Sequence, residues 1–291
     1  GVIVVRIATR GSELALWQAH HVQATLINAG VCDDVEVVIV STSGDRDKTT
    51  PLHQIGGKGI FVKEVQAALL DGRADMAVHS AKDMPAVSPA ELMLGAVPLR
   101  GNPSDVLVGC RFQDLAQGAR VGTGSVRRRA QLAALRPDLQ FDELRGNIAT
   151  RLDRVGDFDA IVMAAAALER LQLTLDTVDV MTVEHMVPQV GQGALAIECR
   201  VEDTDAITAL ASITHAESQA VFECERAFLA ELGGDCSLPA GAHAKLTSDG
   251  YLLTGFLASE DLLTSHQITV AGFDGPSLGT GLAVELRSRL G

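Results

Sequence analysis

The sequence predicts an α/β protein with two α/β units followed by a small α+β unit. Apolar strand-like runs alternate with helical patterns along the chain. The 291 residues exceed the size of one ordinary compact domain. The composition is 47% hydrophobic and 21% charged, which is typical of a globular protein with a well-filled interior. We therefore expect the functional site to lie in a cleft between domains.

The first unit shows a βαβ rhythm. Its predicted strands span 2–8, 35–40 and 75–79, and its predicted helices span 13–28 and 61–70. A glycine run at 56–59 precedes the second helix, and it predicts either a mobile flap or a plain loop.

A second α/β unit follows the turn-rich segment 100–103. Its predicted strands span 106–110, 120–122 and 160–163, and its predicted helices span 125–135, 147–155 and 164–171. The segment 188–193 then precedes an apolar strand at 194–199, which could return the chain to the first unit. Such a crossing would form a hinge.

The last part of the chain predicts a small α+β unit. A helical pattern at 215–232 is followed by strands at 242–246, 251–257 and 267–271 and by a helix at 278–290. We expect three domains, comprising 1–98 with 192–212, then 99–191, and finally 213–291.

Charge and composition exclude several classes of function. A net charge of -13 would repel a phosphate backbone, and aromatic residues, at 3%, offer few platforms for base stacking, so we expect no nucleic-acid partner. No apolar stretch approaches the roughly 18–20 residues of a membrane span, and the opening run 2–6 is typical of a strand and not of a signal peptide. Five scattered cysteines argue against a disulfide framework, and the absence of closely paired Cys or His ligands argues against a metal site. We expect a cytoplasmic protein.

Two segments share a design that favours anions. Residues 6–12 and 120–125 each lead from a strand through a Thr/Gly/Ser turn into a helix. Free backbone N–H groups and the positive end of the helix dipole favour a carboxylate or a phosphate there. The alternative is that Ser12 and Ser125 only cap their helices.

Arginines beside these helix starts favour the anion-binding interpretation. Arg10 precedes the first helix, and Arg127, Arg128 and Arg129 open the second, where positive charge opposes the helix dipole. Bidentate recognition of carboxylates accounts for such arginines better than stability does. Because three consecutive side chains spread around a helix, we expect Arg129 to face solvent.

Further basic residues follow later in the chain. Arg145 and Arg151 flank another helix start, whereas Arg170, at a helix end, could simply stabilise that helix. A basic lining in an acidic chain predicts focused attraction of an acidic small molecule. At the end of the strand 75–79, Asp83 follows Lys82 where α/β proteins bind ligands, although an exposed Lys–Asp pair is the plainer alternative.

One cysteine differs from the others in its setting. Cys110 and Cys199 end apolar strands and Cys224 lies in a helical pattern, so we expect these three in the core. Cys236 lies in the glycine-containing loop 233–239, which would expose its thiol. A reactive thiol and a free surface cysteine both fit, and the sequence offers no neighbouring histidine as a base.

Taken together, these segments resemble the porphobilinogen deaminase family, also called hydroxymethylbilane synthases. The resemblance covers essentially the whole chain. It is carried by the Cys236 loop and by the motifs ATRGSELALWQ (8–18), GGKGIFVK (56–63), HSAKDMP (79–85), VGTGSVRR (121–128), LRGN (144–147) and VGQGA (190–194).

The resemblance implies an enzyme that joins four porphobilinogen molecules into the linear tetrapyrrole hydroxymethylbilane. It implies a dipyrromethane cofactor attached to Cys236 through a thioether and a catalytic role for Asp83. The implied cofactor contacts are Lys82, Asp83, Thr123, Ser125, Arg127, Arg128, Arg145 and Gln192. The implied substrate contacts are Arg10, Ser12, Arg145, Arg151 and Arg170.

The resemblance also implies a fold, and two other functions are weighed against the one it implies. It implies two domains similar to type II periplasmic binding proteins, joined by a two-segment hinge, a third domain carrying the cofactor cysteine, and a monomer. Gly124 departs from the family, where serine is frequent, which puts a hydroxyl contact in doubt. A solute-binding module would need no role for Cys236, and a cysteine hydrolase would need a base that the sequence does not show.

Overall fold

The computed structural model describes residues 2–47, 49–50, 59–234 and 238–291. The described strands are β1 (Val4–Arg10), β2 (Asp34–Val40), β3 (Met76–Ser80), β4 (Leu92–Ala96), β5 (Asp105–Val108), β6 (Arg120–Gly122), β7 (Gln140–Asp142), β8 (Ala160–Ala164), β9 (Val178–Val180), β10 (Leu195–Arg200), β11 (Ala240–Thr247), β12 (Gly250–Ala258) and β13 (Ser265–Gly272). The described α-helices are α1 (Glu13–Asn28), α2 (Ser43–Arg46), α3 (Lys63–Leu70), α4 (Val126–Leu135), α5 (Ile148–Asp153), α6 (Ala165–Arg170), α7 (Thr204–Ala211), α8 (Ala216–Leu232) and α9 (Gly275–Leu290).

The first sheet has the strand order β2-β1-β3-β10-β4. β1 runs parallel to β2 and β3, whereas β10 is antiparallel to β3 and β4. Neighbouring residues of β1 point to opposite faces, so Ile7 packs with α1 and α7 while Ala8 packs with α3. Both faces are therefore covered by helices, which explains why the strands read as apolar runs.

The second sheet repeats this arrangement, with the order β7-β6-β8-β5-β9. β6 is parallel to β7 and β8, and β5 is antiparallel to β8 and β9. Because a parallel trio stands beside an antiparallel pair in each sheet, both sheets present the carboxyl ends of several strands at one edge. Such edges are where open α/β sheets bind ligands.

The third sheet is antiparallel and has the order β11-β12-β13, with α8 and α9 packed against it. The two helices approach closely at Gly279, where a Cβ atom would lie 2.2 Å from the carbonyl oxygen of Cys224. Glycine is required at this crossing because that distance leaves no room for a side chain.

The predicted fold class is confirmed, and most predicted elements form within a few residues of their expected bounds. The strand predicted at 194–199 forms as β10 and does join the first sheet. The prediction missed β4, β7, β9, α2 and α7. The core assignment holds for Cys199 and Cys224, but it was wrong for Cys110, which is partly exposed two residues beyond the end of β5. Among the helices described, none is long and apolar enough to cross a membrane.

Candidate active site

A cavity of about 650 Å³ lies at the carboxyl ends of the parallel strands of both α/β sheets. Its walls contain residues from β1–α1, from the turn after β3, from the start of α4, and from the loop between β7 and α5. Most of the predicted site residues line it, namely Arg10, Ser12, Lys82, Asp83, Ser125, Arg127, Arg128, Arg145 and Arg151. The topology thus brings together positions that are spread over about half of the chain.

The helix-start hydroxyls serve as caps and also line the cavity. Ser12 accepts a hydrogen bond from Ala15 N at 3.3 Å, and Ser125 accepts one from Arg128 N at 3.2 Å. Because a hydroxyl that accepts can still donate, capping leaves each O–H available to an anion. Thr123 accepts from Ser125 N at 3.1 Å, but it is buried behind the wall of the cavity.

Asp83 lies in a short 3-10 turn (Ala81–Asp83) directly after β3, with 19% of its side chain exposed. Its Oδ2 is 3.9 Å from Nη1 of Arg10. Arg10 is held from two other sides, because Asp45 accepts hydrogen bonds from its guanidinium group and its Cζ lies 4.2 Å from the centre of the Phe61 ring. Arg10 is therefore fixed in orientation beside Asp83.

Two of these partners, Asp45 and Phe61, were not identified from the sequence. Burial raises the pKa of the Asp45 carboxyl, but hydrogen bonds from Arg10 and Thr42 outweigh this effect and hold it below its ordinary value. Asp45 is accordingly a carboxylate at neutral pH, and it keeps the Arg10 guanidinium in place.

A buried carboxylate, Asp105, organises the basic residues on the other wall. Arg127 and Arg128 approach it at 2.8 and 2.9 Å, and Gln192 Nε2 donates to it at 3.1 Å. Burial alone would raise the pKa of Asp105, but the charges of Arg127 and Arg128 lower it to about 2. The sequence had identified these three partners but not the acid that joins them.

Two cations in the cavity make no ion pair or hydrogen bond through their charged groups with the described residues. The ammonium of Lys82 has no such partner, and Nε of Arg151 is buried without an acceptor. Burial, reinforced by the charge of Arg128, lowers the pKa of Lys82 to about 8 and that of Arg151 to about 10. The cavity therefore carries uncompensated positive charge that an anion would neutralise.

The remaining predicted residues lie at the margins of the cavity. Arg145 donates to the backbone oxygens of Thr50 and, at 2.9 Å, Asp47. Arg170 donates to Gly193 O at 2.6 Å and, with Gln192, lines a small adjoining cavity that shares Lys82 with the large one. Cys236 and residues 56–58 lie outside the described part of the chain.

At the start of α4, the structure shows the surroundings of Arg129 and Gly124, two residues singled out in the sequence. Arg129 is exposed, as predicted, and lies 5.7 Å from the centre of the Phe141 ring. A Cβ atom at Gly124 would lie 3.0 Å from Leu144 O, so the chain segment opposite approaches too closely for a side chain to fit without movement. Glycine at this position is thus matched to its surroundings.

The donor set fits a small molecule with several carboxylates. Unpaired nitrogen donors of Lys82 and Arg151 face one space with the capping hydroxyls, and the carboxylate of Asp83 lies among them. The fold and the site together are those of a two-sheet cleft protein whose helix starts and cationic donors suit a polycarboxylate ligand, with the Asp83 carboxylate beside them.

Comparisons with known proteins identify the family. The family model described as "Porphobilinogen deaminase, dipyromethane cofactor binding domain" matches residues 5–208, and "Porphobilinogen deaminase, C-terminal domain" matches residues 220–288. The porphobilinogen deaminase of Nitratidesulfovibrio vulgaris strain Miyazaki F is 45% identical, with 96% of this chain and 92% of the relative covered. That of Geobacter metallireducens is 42% identical, with 97% and 91% covered. The chain belongs to the porphobilinogen deaminase family.

Among solved structures, the chain is similar to the methionine-binding protein MetQ, with a TM-score of 0.43, 12% identity, and coverage of 79% of this chain and 93% of that chain.

Proposed function

We propose that this chain joins four porphobilinogen molecules head to tail into hydroxymethylbilane, with the release of ammonia and the final uptake of water. The observation that carries the proposal is the single cavity that combines Asp83 with uncompensated cations from both α/β sheets. Porphobilinogen brings an acetate and a propionate group with each ring, so every addition needs further cationic donors.

Asp83 is the proposed catalytic residue. Ammonia leaves from the aminomethyl carbon of the substrate, which then carries positive charge and forms a bond to the free α-carbon of the preceding ring. The proton released from that α-carbon leaves with ammonia as ammonium. The carboxylate of Asp83 accepts a hydrogen bond from the pyrrole N–H, opposes the developing positive charge and transfers protons. Its position at the cavity wall, 3.9 Å from Nη1 of Arg10, supports this role.

The basic residues are proposed to bind the carboxylates. Arg10, Ser12, Arg151 and Arg170 hold incoming substrate, and Arg145 is shared between substrate and cofactor. The other proposed cofactor contacts are Lys82, Asp83, Thr123, Ser125, Arg127, Arg128 and Gln192. The cofactor itself supplies the carbon to which the first ring is joined. We propose that it is attached at Cys236.

Three further properties are proposed with this function. We assign the domains to 1–98 with 192–212, to 99–191 and to 213–291, which the grouping of the strands into three sheets supports. The protein acts as a cytoplasmic monomer on free porphobilinogen. A net charge of -13 supports the absence of a nucleic-acid partner.

Intact mass spectrometry and turnover measured together test the proposal. We expect purified protein to be heavier than the polypeptide by the cofactor, and Cys236→Ala to have the polypeptide mass while Cys110→Ala keeps the extra mass. We expect Asp83→Asn to retain the extra mass but to lose nearly all turnover, on the order of 10²-fold or more. The exposed Asp249→Asn is the matched control. Unmodified wild-type protein that gains no mass from porphobilinogen would overturn the proposal, and it would favour a solute-binding module.

A further inference from the structure

Asp105 is the first residue of β5, and its side chain has no exposed surface. Its two oxygens accept hydrogen bonds from three side chains that belong to two separate segments. Arg127 and Arg128 come from the start of α4, and Gln192 comes from the crossing that precedes β10. The carboxylate of Asp105 thus links the start of α4, which carries Arg127 and Arg128, to the crossing segment 188–193, which runs from the second α/β sheet back to the first.

The contacts of Asp105 give the two neighbouring arginines different tasks. Nη1 of Arg127 donates to Asp105 and to Val187 O, both at 2.8 Å, and Nη2 donates to Asp105 at 3.3 Å and to Gln192 Oε1 at 3.4 Å. These bonds occupy all four terminal N–H groups of Arg127. Arg127 is therefore bound within the protein.

Arg128 keeps free donors. Its Nε and Nη2 each contact Asp105 at 2.9 Å, and Nη1 donates to Val162 O at 3.3 Å. One N–H on each terminal nitrogen is not used in these contacts. Because Asp105 holds Nε and Nη2 from one side, the unused N–H groups have a fixed direction. Arg128 lines the cavity, so these donors are available to a ligand there.

The charge of Asp105 is also what allows the two guanidinium groups to lie side by side. Both are buried, and without an acid between them they would repel each other in a medium that screens poorly. Asp105 shares its charge between the two cations, and Val187 O and Gln192 Oε1 take the remaining terminal N–H groups of Arg127. The cavity wall therefore keeps net positive charge, because the charge of Arg128 is only partly neutralised by Asp105, and Lys82 and Arg151 nearby have no acid partner among the described residues.

We propose that Asp105 is a positioning residue for the carboxylate-binding arginine Arg128. Arg127, whose terminal N–H groups are all used within the protein, then supports the cofactor site as a structural strut between α4 and the crossing, in place of the direct cofactor contact proposed for it above. This inference rests on the proposed function, because it concerns the same polycarboxylate ligands. Asp105 touches no reacting atom in this role. It acts by fixing the direction in which Arg128 donates.

The test compares two variants with a matched control. Asp105→Glu keeps the charge but displaces the carboxylate by one methylene, and the double variant Asp105→Asn with Arg127→Met removes one charge of each sign. Asp138→Asn, which breaks the Arg–Asp pair with Arg136 away from the cavity, is the control. Each protein is measured for thermal unfolding, for the mass gained from porphobilinogen, and for KM and kcat.

We expect folded Asp105 variants to take up the cofactor at least about tenfold more slowly than the control and to show a KM raised by about tenfold, because a small misplacement of a binding group is costly. The kcat of the fully loaded fraction should change less than KM. Uptake and KM within twofold of the control in a folded variant would overturn the proposal. Failure of both variants to fold would also overturn it, since the role of Asp105 would then be structural alone. Wild-type protein that gains no mass would instead refute the proposed function.

Discussion

Replacing Glu225 by alanine should destabilise the whole protein, because this residue joins three parts of the chain at one buried point. Glu225 lies on α8 and has no exposed side-chain surface. Its Oε1 accepts from Gly191 N at 2.9 Å and from Arg100 at 3.0 Å. Its Oε2 accepts from Arg100 at 2.7 Å and from Ala244 N at 2.9 Å.

The magnitude follows from what the substitution would leave behind. Arg100, with 9% of its side chain exposed, would lose both hydrogen bonds to its acid partner and keep a bond from Nε to Gln192 O. Breaking a buried ion pair by removing one partner costs about 3–5 kcal/mol. Two backbone N–H groups would also lose their acceptors, so we expect a loss near the upper end of that range.

Urea denaturation followed by far-ultraviolet circular dichroism measures this loss. The control is Glu223→Ala, two residues earlier on the same helix, where the side chain is exposed and accepts a hydrogen bond from Gln219. We expect the control to change the free energy of unfolding by less than about 0.5 kcal/mol. If Glu225→Ala cost no more than its control, the assignment of Glu225 as a buried junction would be refuted.

Two further predictions concern the unpaired cations. The pKa of Lys82 is lowered from 10.5 to about 8, so the unfolded chain binds more protons between these values, and the stability of ligand-free protein should rise with pH across that window. Binding of a carboxylate needs the charged form of the Lys82 amine, so KM should rise above about pH 8. If a Lys82→Met variant showed the same rise in KM, Lys82 would be excluded as its cause. Arg151→Met should stabilise ligand-free protein by about 1 kcal/mol because it removes a buried unpaired group, yet raise KM about tenfold. A lower melting temperature, or an unchanged KM, would contradict this expectation.

The sequence predicts the elements that have a strong pattern of their own. β1, α1 and β6 form almost where expected, because both faces of the sheets are buried and the helices begin at serine caps. β7 and β9 are three-residue edge strands, and such short runs carry no periodicity. β4 contains Gly95 and partly buried residues, so its apolar signal is weak.

The parts of the candidate site that could be predicted are those formed by residues close together in the sequence. Helix starts with serine caps and adjacent arginines can be recognised locally, and Arg10 and Arg128 do line the cavity. The acids that hold these arginines could not be paired with them. Asp45 is 35 residues from Arg10 along the chain, and Asp105 is 23 residues from Arg128. One sequence does not show which distant charges meet.

A local signal for the buried acids nevertheless exists. The apolar residues Val221, Phe222, Phe228 and Leu229 mark the buried stripe of α8, and Glu225 lies in the middle of that stripe. Likewise, Asp105 opens a strand in which all four residues are buried. A charged residue at a buried position must be paired, so each of these acids predicts a cation close by.

The distribution of the buried acids explains why positive charge is left in the cavity and not elsewhere. Glu225 pairs with Arg100, and Asp105 pairs with Arg127 and Arg128, so the cations that join the parts of the fold each have a buried acid beside them. Lys82 and Arg151 have no such acid. Burial and the charge of Arg128 lower the pKa of both groups, and the charge of Arg151 lowers that of Lys82 further. Ligand-free protein therefore carries an unfavourable electrostatic energy that a bound polycarboxylate removes. A ligand that binds only the folded state also stabilises it, so cofactor and fold should support each other.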